Sequence, residues 1–531
     1  MTVSEESPLL NAPSGQSDTE AGTIRREKES SDVWVVWATF IGVLIASADE
    51  SLMISTYSAI ASQFHRLSEG SWLLLAYNFG YCISLPVYSV LGDTYGRKNV
   101  LLCSYGFFAI SCLACGASQS ISQLVLARVL AGSSGAGMVV VVSVILTDII
   151  PGQEIALYRG YQNAVMVTGR SLGAPLGGIL TDTIGWRWAF YGQLPIILLC
   201  ILFAAYRLPS SLNETESEGL AEPVQPNRSP MRDLDFPGLI ALSGTILAML
   251  FLLENLGKQE TDTLHSSLLG VAFLSGCIIF ALIELWATKP LVPVRLFGQT
   301  IAAYWLIQAA MLAGRFALFS NLSVYFIRVE DTTDLVASLS LVVSALGVSV
   351  GGVVAGLVIK YTKHYKTMTI LAGIASFITY LLIFLQWRHG FPKWHVAILF
   401  LGGFTTGILF PPLFVGMAAV APEGMLHTCI GTYYICQQLG IIIGPAAGFA
   451  VSQKLFGQGM KRSLGGLEER DSIIRNILNE VRYAKSLPAS LRETVKECYL
   501  KAFQSIPVFS LANTAVMILI LFLLKEQDVR Q

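Results

Sequence analysis

Four charged side chains stand where an apolar chain ought to have none. Asp49 and Glu50 lie side by side near the middle of an apolar run from Val33 to Phe64. Arg170 lies about 15 Å inside another run at 1.5 Å per residue, and Arg128 sits a turn or two inside a third. An ion in hydrocarbon costs several kcal/mol unless it is paired or hydrated, so function is the default explanation for its presence. Neighbouring helical positions point about 100° apart. One of Asp49 and Glu50 can therefore face a cavity while the other meets a second helix, such as the one that carries Arg170. A purely structural buried pair is the alternative for Arg170, and snorkelling to the membrane surface is the alternative for Arg128. One of the two acids is expected to exchange a coupling proton. Asn78, Asn163, Tyr433 and Gln437 are polar residues inside apolar spans, placed to line a cavity. Enzyme chemistry has no comparable footing. The six histidines fall at span ends or in loops, and no metal-ligand set, nucleophile–base pair or nucleotide-binding glycine loop accompanies them. No cofactor is implied.

The elements that must hold these residues are membrane helices. The chain is 53% hydrophobic and only 13% charged, against about 25% charged in an ordinary soluble domain. Apolar stretches recur at about 20 residues, the length that crosses about 30 Å of hydrocarbon as a helix. Spans are predicted near 34–62, 71–91, 99–118, 123–150, 160–180, 189–207, 236–256, 266–286, 301–327, 335–359, 367–386, 395–418, 427–450 and 504–524. This describes an all-α membrane protein of about fourteen spans. A net charge of −1 offers nothing to nucleic acid. All the cysteines but Cys498 lie in apolar runs and read as small hydrophobes rather than a disulfide framework. Lys and Arg are more frequent in the short loops on the side of the N-terminus, which puts both termini in the cytosol.

Polar stretches divide the chain. Residues 1–33 read as a disordered tail and 209–234 as a linker, both rich in Ser, Glu, Pro and Asn. Residues 34–208 form a first six-helix bundle, 235–287 an inserted pair of helices, and 301–531 a second six-helix bundle. The 454–503 loop of the second bundle has Ile473, Ile474, Ile477, Leu478 and Val481 at helical spacing. After Pro488, Ser490 and Glu493 have the spacing of a capping box, so a small helical lid is expected on the far face. A repeat relates the two bundles. The turn Gly92-Asp93-Thr94-Tyr95-Gly96-Arg97-Lys98 is echoed by Gly356 to Lys360 with Lys363 and Lys366. Gly169 and Gly173, with Pro175, Gly177 and Gly178, are echoed by Gly440, Gly444, Pro445 and Gly448. Such repeats place a transport site between two rocking bundles. Glycine in the turn gives tight geometry, and its acid and basic pair can bind helix ends or carboxylates, making a latch that breaks and re-forms. The span glycines suit close packing or a hinge.

These motifs resemble the major facilitator superfamily in its fourteen-spanner drug:proton antiporter branch. The matching residues are Asp93, Gly96, Arg97 and Lys98, Arg128 with Gly132 and Gly135, Asp148 with Pro151, and the span-5 glycine–proline motif followed by Trp186-Arg187-Trp188. Ser89 stands where the family turn opens with glycine, and Ala174 separates Gly173 from Pro175. The resemblance implies proton-transfer chemistry at Arg128, gating by the turn with Asp148, and antiport through the motif of Gly169, Gly173, Pro175, Gly177 and Gly178.

The tail adds Glu5-Glu6-Ser7-Pro8-Leu9-Leu10, in which Glu5, Leu9 and Leu10 form an acidic dileucine pattern that a sorting adaptor can bind. The tail, Asp49-Glu50 and the run Ser171 to Gly178 are similar to fungal vacuolar basic amino-acid permeases. That resemblance implies export of lysine, arginine and histidine from cytosol to vacuole in exchange for protons. Carboxylates at mid-depth suit such a cargo, since a cation entering the cavity needs a counter-charge. The expected partners are a small cationic solute, protons and the lipid bilayer, with the chain acting as a monomer. A drug or toxin exporter of the plasma membrane shares most of these motifs. A non-transporting nutrient sensor would need large signalling tails, which neither terminus supplies.

Overall fold

Helices begin and end where the apolar runs do. The computed structural model describes residues 36–54, 71–213, 235–257, 263–287, 290–332, 334–388, 395–422, 424–464, 470–479 and 487–525, with a few single positions between them. In chain order the helices are α1 (Val36–Ile54), α2 (Ser71–Tyr95), α3 (Arg97–Ala117), α4 (Ile121–Ile149), α5 (Gly152–Thr183), the short α6 (Arg187–Tyr191) and α7 (Leu194–Arg207). Then follow α8 (Phe236–Gly257), α9 (Thr263–Trp286), α10 (Thr300–Val329), α11 (Asp334–Thr362), α12 (Lys366–Gln386) and α13 (Val396–Val420). The chain closes with α14 (Leu426–Ser463), α15 (Arg470–Asn479), α16 (Ala489–Phe503) and α17 (Ser505–Leu523). Among the described residues, 13 helical segments are long and apolar enough to cross a membrane. A further helix, α5, has the length at 32 residues but carries too many polar side chains to register as apolar.

The internal repeat is visible as backbone contact. In the first half α2 and α4 meet at glycine, where a Cβ on Gly80 or Gly132 would lie 2.0 Å from the carbonyl oxygens of Val129 and Tyr77. In the second half α11 and α13 meet the same way, with Gly403 2.0 Å from the Ser344 carbonyl and Gly351 2.2 Å from that of Phe404. The glycines of α5 and α14 are likewise equivalent. Gly173 abuts the Ala48 carbonyl of α1 at 2.1 Å, and Gly444 abuts the Ala313 carbonyl of α10 at 2.3 Å. Small residues let helix backbones approach within van der Waals range in lipid, where no hydrophobic force drives helices together.

The halves face each other along two seams, α2 against α14 and α5 against α11. The inserted helix α8 leans on the first seam, with Leu242, Ile246, Met249 and Leu250 packed on Cys82 and Phe79, while α9 is left almost entirely uncovered.

Three boundaries differ from the sequence expectation. α5 starts at Gly152 rather than near 160, and α14 runs to Ser463 rather than ending near 450. The capping box at Ser490 and Glu493 does not form: Pro488 is the N-cap of α16, with no side-chain hydrogen bond, because the proline's own φ of −55° sets the entry to the helix. The segment expected as a lid is joined to the bundle. Ile474 and Ile477 of α15 and Val495, Tyr499 and Phe503 of α16 share one apolar cluster with α10, α12 and the end of α14, and Arg328 donates to the Ile477 carbonyl at 2.8 Å.

Replacing Gly403 by valine is expected to cost several-fold in monodisperse protein on size-exclusion chromatography, since overpacking typically costs about 1–3 kcal/mol. Gly244→Val, where nothing lies within 4 Å of a Cβ, is expected to elute as the parent does.

Candidate functional site

Adjacent acids on α1 have separate fates. Asp49 turns into the first bundle, where its Oδ2 accepts from Arg128 Nη1 at 2.6 Å and its Oδ1 accepts from Gln193 Nε2 at 3.2 Å. Arg128 Nη2 also donates to the Asp49 carbonyl at 3.3 Å. The guanidinium lies 4.6 Å from the centre of the Tyr77 ring, and that hydroxyl donates to the Ala46 carbonyl at 3.1 Å. The two side chains are 0% and 1% exposed. Arg128 therefore does not snorkel; its charge is matched inside the bundle. Glu50 points the other way, and its Oε2 accepts from Arg170 Nε at 2.8 Å. This pair keeps 15% and 17% exposure. Of the two acids, Glu50 is the more exposed.

The glycines of α5 set this register. A Cβ on Gly169 would lie 2.5 Å from the Leu44 carbonyl, and Gly173 abuts Ala48. The two contacts bracket Arg170 and hold it opposite Glu50. Pro175 lies inside the continuous α5 and is exposed, as is its neighbour Leu176, while Gly177 is buried and Gly178 half-buried. None of this motif lines the space between the halves; it packs α5 onto α1 and faces outward beyond.

That space is a narrow cleft between α5, α13 and α14. Asn163, Tyr433 and Gln437 line it together. Asn78 does not: its Oδ1 accepts from Gln438 Nε2 at 2.6 Å across the α2–α14 seam. Three further lining residues, Arg159, Gln162 and Tyr434, were not anticipated. Arg159 is 5% exposed. It donates to Gln162 Oε1 at 3.0 Å and to the Ser143 carbonyl, and its guanidinium lies 3.5 Å from the centre of the Phe414 ring. The missed signal was one of boundary. Starting the fifth span at 160 left Arg159 in a loop, where a basic residue needs no explanation. A second arginine without a carboxylate, Arg315, is held in the other half by Ser344 and Thr406, each at 3.3 Å, and by the Gly402 carbonyl at 3.4 Å.

At one end of the seam the glycine-rich turn makes its contacts. Gly96 has φ of 85°, and a Cβ there would strike Asn213 at 2.5 Å, so this position needs glycine twice over. Gly92 has open space around it and belongs to the last turn of α2; the turn does not depend on it. Arg97 donates to Asp148 Oδ2 at 3.0 Å and approaches His427 of the second half at 3.4 Å. Lys98 caps the end of α7 through the Leu208 carbonyl at 2.8 Å. The side chains of Asp93 and Ser89 lie outside the described residues, as do Glu5, Leu9 and Leu10. At the same end Lys360 of α11 pairs with Glu154 of α5 at 2.6 Å. Just inside, Gly160 and Gly352 bring the two helices into backbone contact, and Ser143 bonds Tyr434 across the seam. The halves are thus tied at the end that carries Arg97, with the cleft immediately behind the tie.

Comparison with known proteins gives this arrangement a setting. The family model of the Major Facilitator Superfamily matches residues 39–445. The chain is 28% identical to the vacuolar membrane amino acid uptake transporter fnx2 of Schizosaccharomyces pombe, covering 94% of this chain and 84% of that one. It is 25% identical to the multidrug resistance protein fnx1 of the same organism, covering 93% of each. Identity to the vacuolar basic amino acid transporter 2 of Saccharomyces cerevisiae is also 25%, over 82% of this chain and 93% of that one.

The sealed pair yields a direct expectation. Asp49→Asn strands the Arg128 charge, and breaking a buried pair costs on the order of 3–5 kcal/mol. Thermal unfolding of the purified variant is expected to start well below that of the parent, whereas Glu50→Gln, in a partly exposed pair, is expected to shift it less.

Proposed function

Because the chain belongs to the Major Facilitator Superfamily and is a multi-pass membrane transporter rather than an enzyme, we propose that it carries basic amino acids from cytosol to vacuole in exchange for protons. The observation that carries this reading is the half-open Glu50–Arg170 pair beside the sealed Asp49–Arg128 pair. The first is the more exposed of the two, so a group that displaces Arg170 from Glu50 has a path to it. A proton arriving at Glu50 neutralises the carboxylate and releases Arg170. A lysine or arginine side chain approaching the same carboxylate is matched only if the proton has left. Cation and proton then exclude each other at one carboxylate, and mutual exclusion at a site that faces the two sides in turn is antiport.

The remaining assignments follow from the same geometry. We take the Arg97 end as cytosolic, in line with the excess of Lys and Arg there. With Arg97–Asp148–His427 and Lys360–Glu154 closed, Glu50 would be reached from the lumen, the source of protons. Opening those ties would admit solute from the cytosol. Residues 34–208 and 301–531 act as the moving halves, with 235–287 as a flank. Two relatives carry vacuolar amino acid transport in their names, and the dileucine pattern at Glu5, Leu9 and Leu10 suits sorting to that membrane. A single chain contains the whole cleft, so a monomer suffices. The similarity to a multidrug resistance protein supports a second reading, in which the cargo is a cationic toxin.

Vesicles from cells that express the protein decide between these. Glu50→Gln is expected to lower pH-gradient-driven lysine uptake more than tenfold at unchanged protein level, and collapse of the gradient is expected to do the same to the parent. Undiminished uptake in either case would remove proton exchange at Glu50.

A further inference from the structure

The cleft holds two buried donors that nothing among the described residues satisfies. Arg159 Nε and Asn163 Nδ2 both lack an acceptor, although their side chains are 95% and 91% buried, leaving 5% and 9% exposed. Buried N–H groups are almost always paired, because leaving one bare costs the full desolvation of that group. These two stand four residues apart on α5, one turn, and so on the same face. Both line the same space, and no Asp or Glu among the described residues lines it with them. Among the described residues no carboxylate lies within ion-pair distance of Arg159. Its other contacts are dipoles and a ring: Gln162, the Ser143 carbonyl, Tyr434 and Phe414. A positive charge and two idle donors, aimed into a cleft without acids, form a receptor for a small planar anion.

We propose that Arg159 and Asn163 bind the carboxylate of the transported amino acid. The inference rests on the proposed amino acid transport and adds to it the atoms that read the invariant end of the cargo. A carboxylate offers two oxygens, and guanidinium hydrogen bonds to carboxylate are among the strongest available to a protein. Position along α5 supports the assignment. Arg159 and Arg170 are eleven residues apart, which on an ideal helix returns to the same face within about 20° after about 16 Å of rise. Asn163 and Met166 lie between them on that stripe. The carboxylate end of a substrate would sit at Arg159 with its cationic side chain directed along the stripe, and since about 16 Å exceeds an extended lysine, Glu50 would meet the cation only as the halves rearrange. The two ends are then recognised by separate groups: Arg159 and Asn163 require an amino acid, and Glu50 requires a cation.

Arginine and its decarboxylated analogue agmatine separate these requirements, because they share the guanidinium and differ in the carboxylate. Uptake of each by vesicles is measured for the parent, Arg159→Gln and Asn163→Ala. The second variant guards against misfolding, since the Asn163 amide nitrogen has no protein partner to lose. The parent is expected to prefer arginine, with that preference reduced at least tenfold in Arg159→Gln and several-fold in Asn163→Ala. Arg159→Lys, which keeps the charge but not the fork, is expected to fall between. A parent that prefers arginine alongside variants that keep the full preference overturns the carboxylate site and leaves basic amino acid transport standing. A parent that moves agmatine as well as arginine also overturns it. A parent that moves neither arginine nor lysine overturns the transport reading itself, and the site with it.

Discussion

A guanidinium in hydrocarbon must find compensation, and the cost of failing runs to several kcal/mol. The architecture follows from how each is compensated. Arg128 has a full counter-charge, two further hydrogen bonds around it and an aromatic face, with no access to solvent. Arg170 has a counter-charge but stays partly exposed. Among the described residues Arg159 and Arg315 have carbonyls, hydroxyls, amides and rings but no carboxylate. The first arrangement is a fixture of the bundle. The second is a matched pair that is less enclosed than the first. The third leaves Arg159 Nε without a partner among the described residues, the donor that the proposed carboxylate site employs.

The packing makes these arrangements possible. Glycine at Gly169 and Gly173 brings α5 against the α1 backbone and fixes Arg170 opposite Glu50. The equivalent contact of Gly440 and Gly444 with α10 braces the second half. Each half is therefore rigid where helices touch through glycine. Between the halves the Arg97 end is held by ion pairs and short polar contacts, which can be traded for water as the halves separate. On the α5–α11 seam the two halves meet backbone to backbone at Gly160 with Gly352 and again at Gly356 with Ala156 and Leu157, just below the cleft. Rigid halves joined by replaceable contacts are what alternating access requires.

Much of this was legible in the sequence, and the parts that were not share a cause. Helix number, the repeat and the intramembrane charges are written in hydropathy and glycine spacing, which depend on each residue's own position. Which of Asp49 and Glu50 is sealed depends on the neighbours that α4 and α7 bring, and adjacent residues cannot reveal that. Arg159 was lost because α5 is least apolar where it lines the cleft, so the hydropathy signal that marks a span fades at its functional end. Gly92 and Gly96 look alike in sequence, yet only Gly96 has a positive φ and Asn213 against it. Ser490 has a cap's spacing, but Pro488 already supplies the helix entry. Asn78 is polar in an apolar span for the sake of Gln438, not for a solute.

Exchange of cation and proton at Glu50 has a signature that does not depend on transport. Purified protein in weakly buffered solution is titrated with lysine, and the pH is followed with an indicator dye. Proton release that rises with lysine bound and saturates with it is the expected result. Lysine binding without proton release, at any pH between that of the cytosol and that of the vacuole, would contradict the exchange and the function built on it.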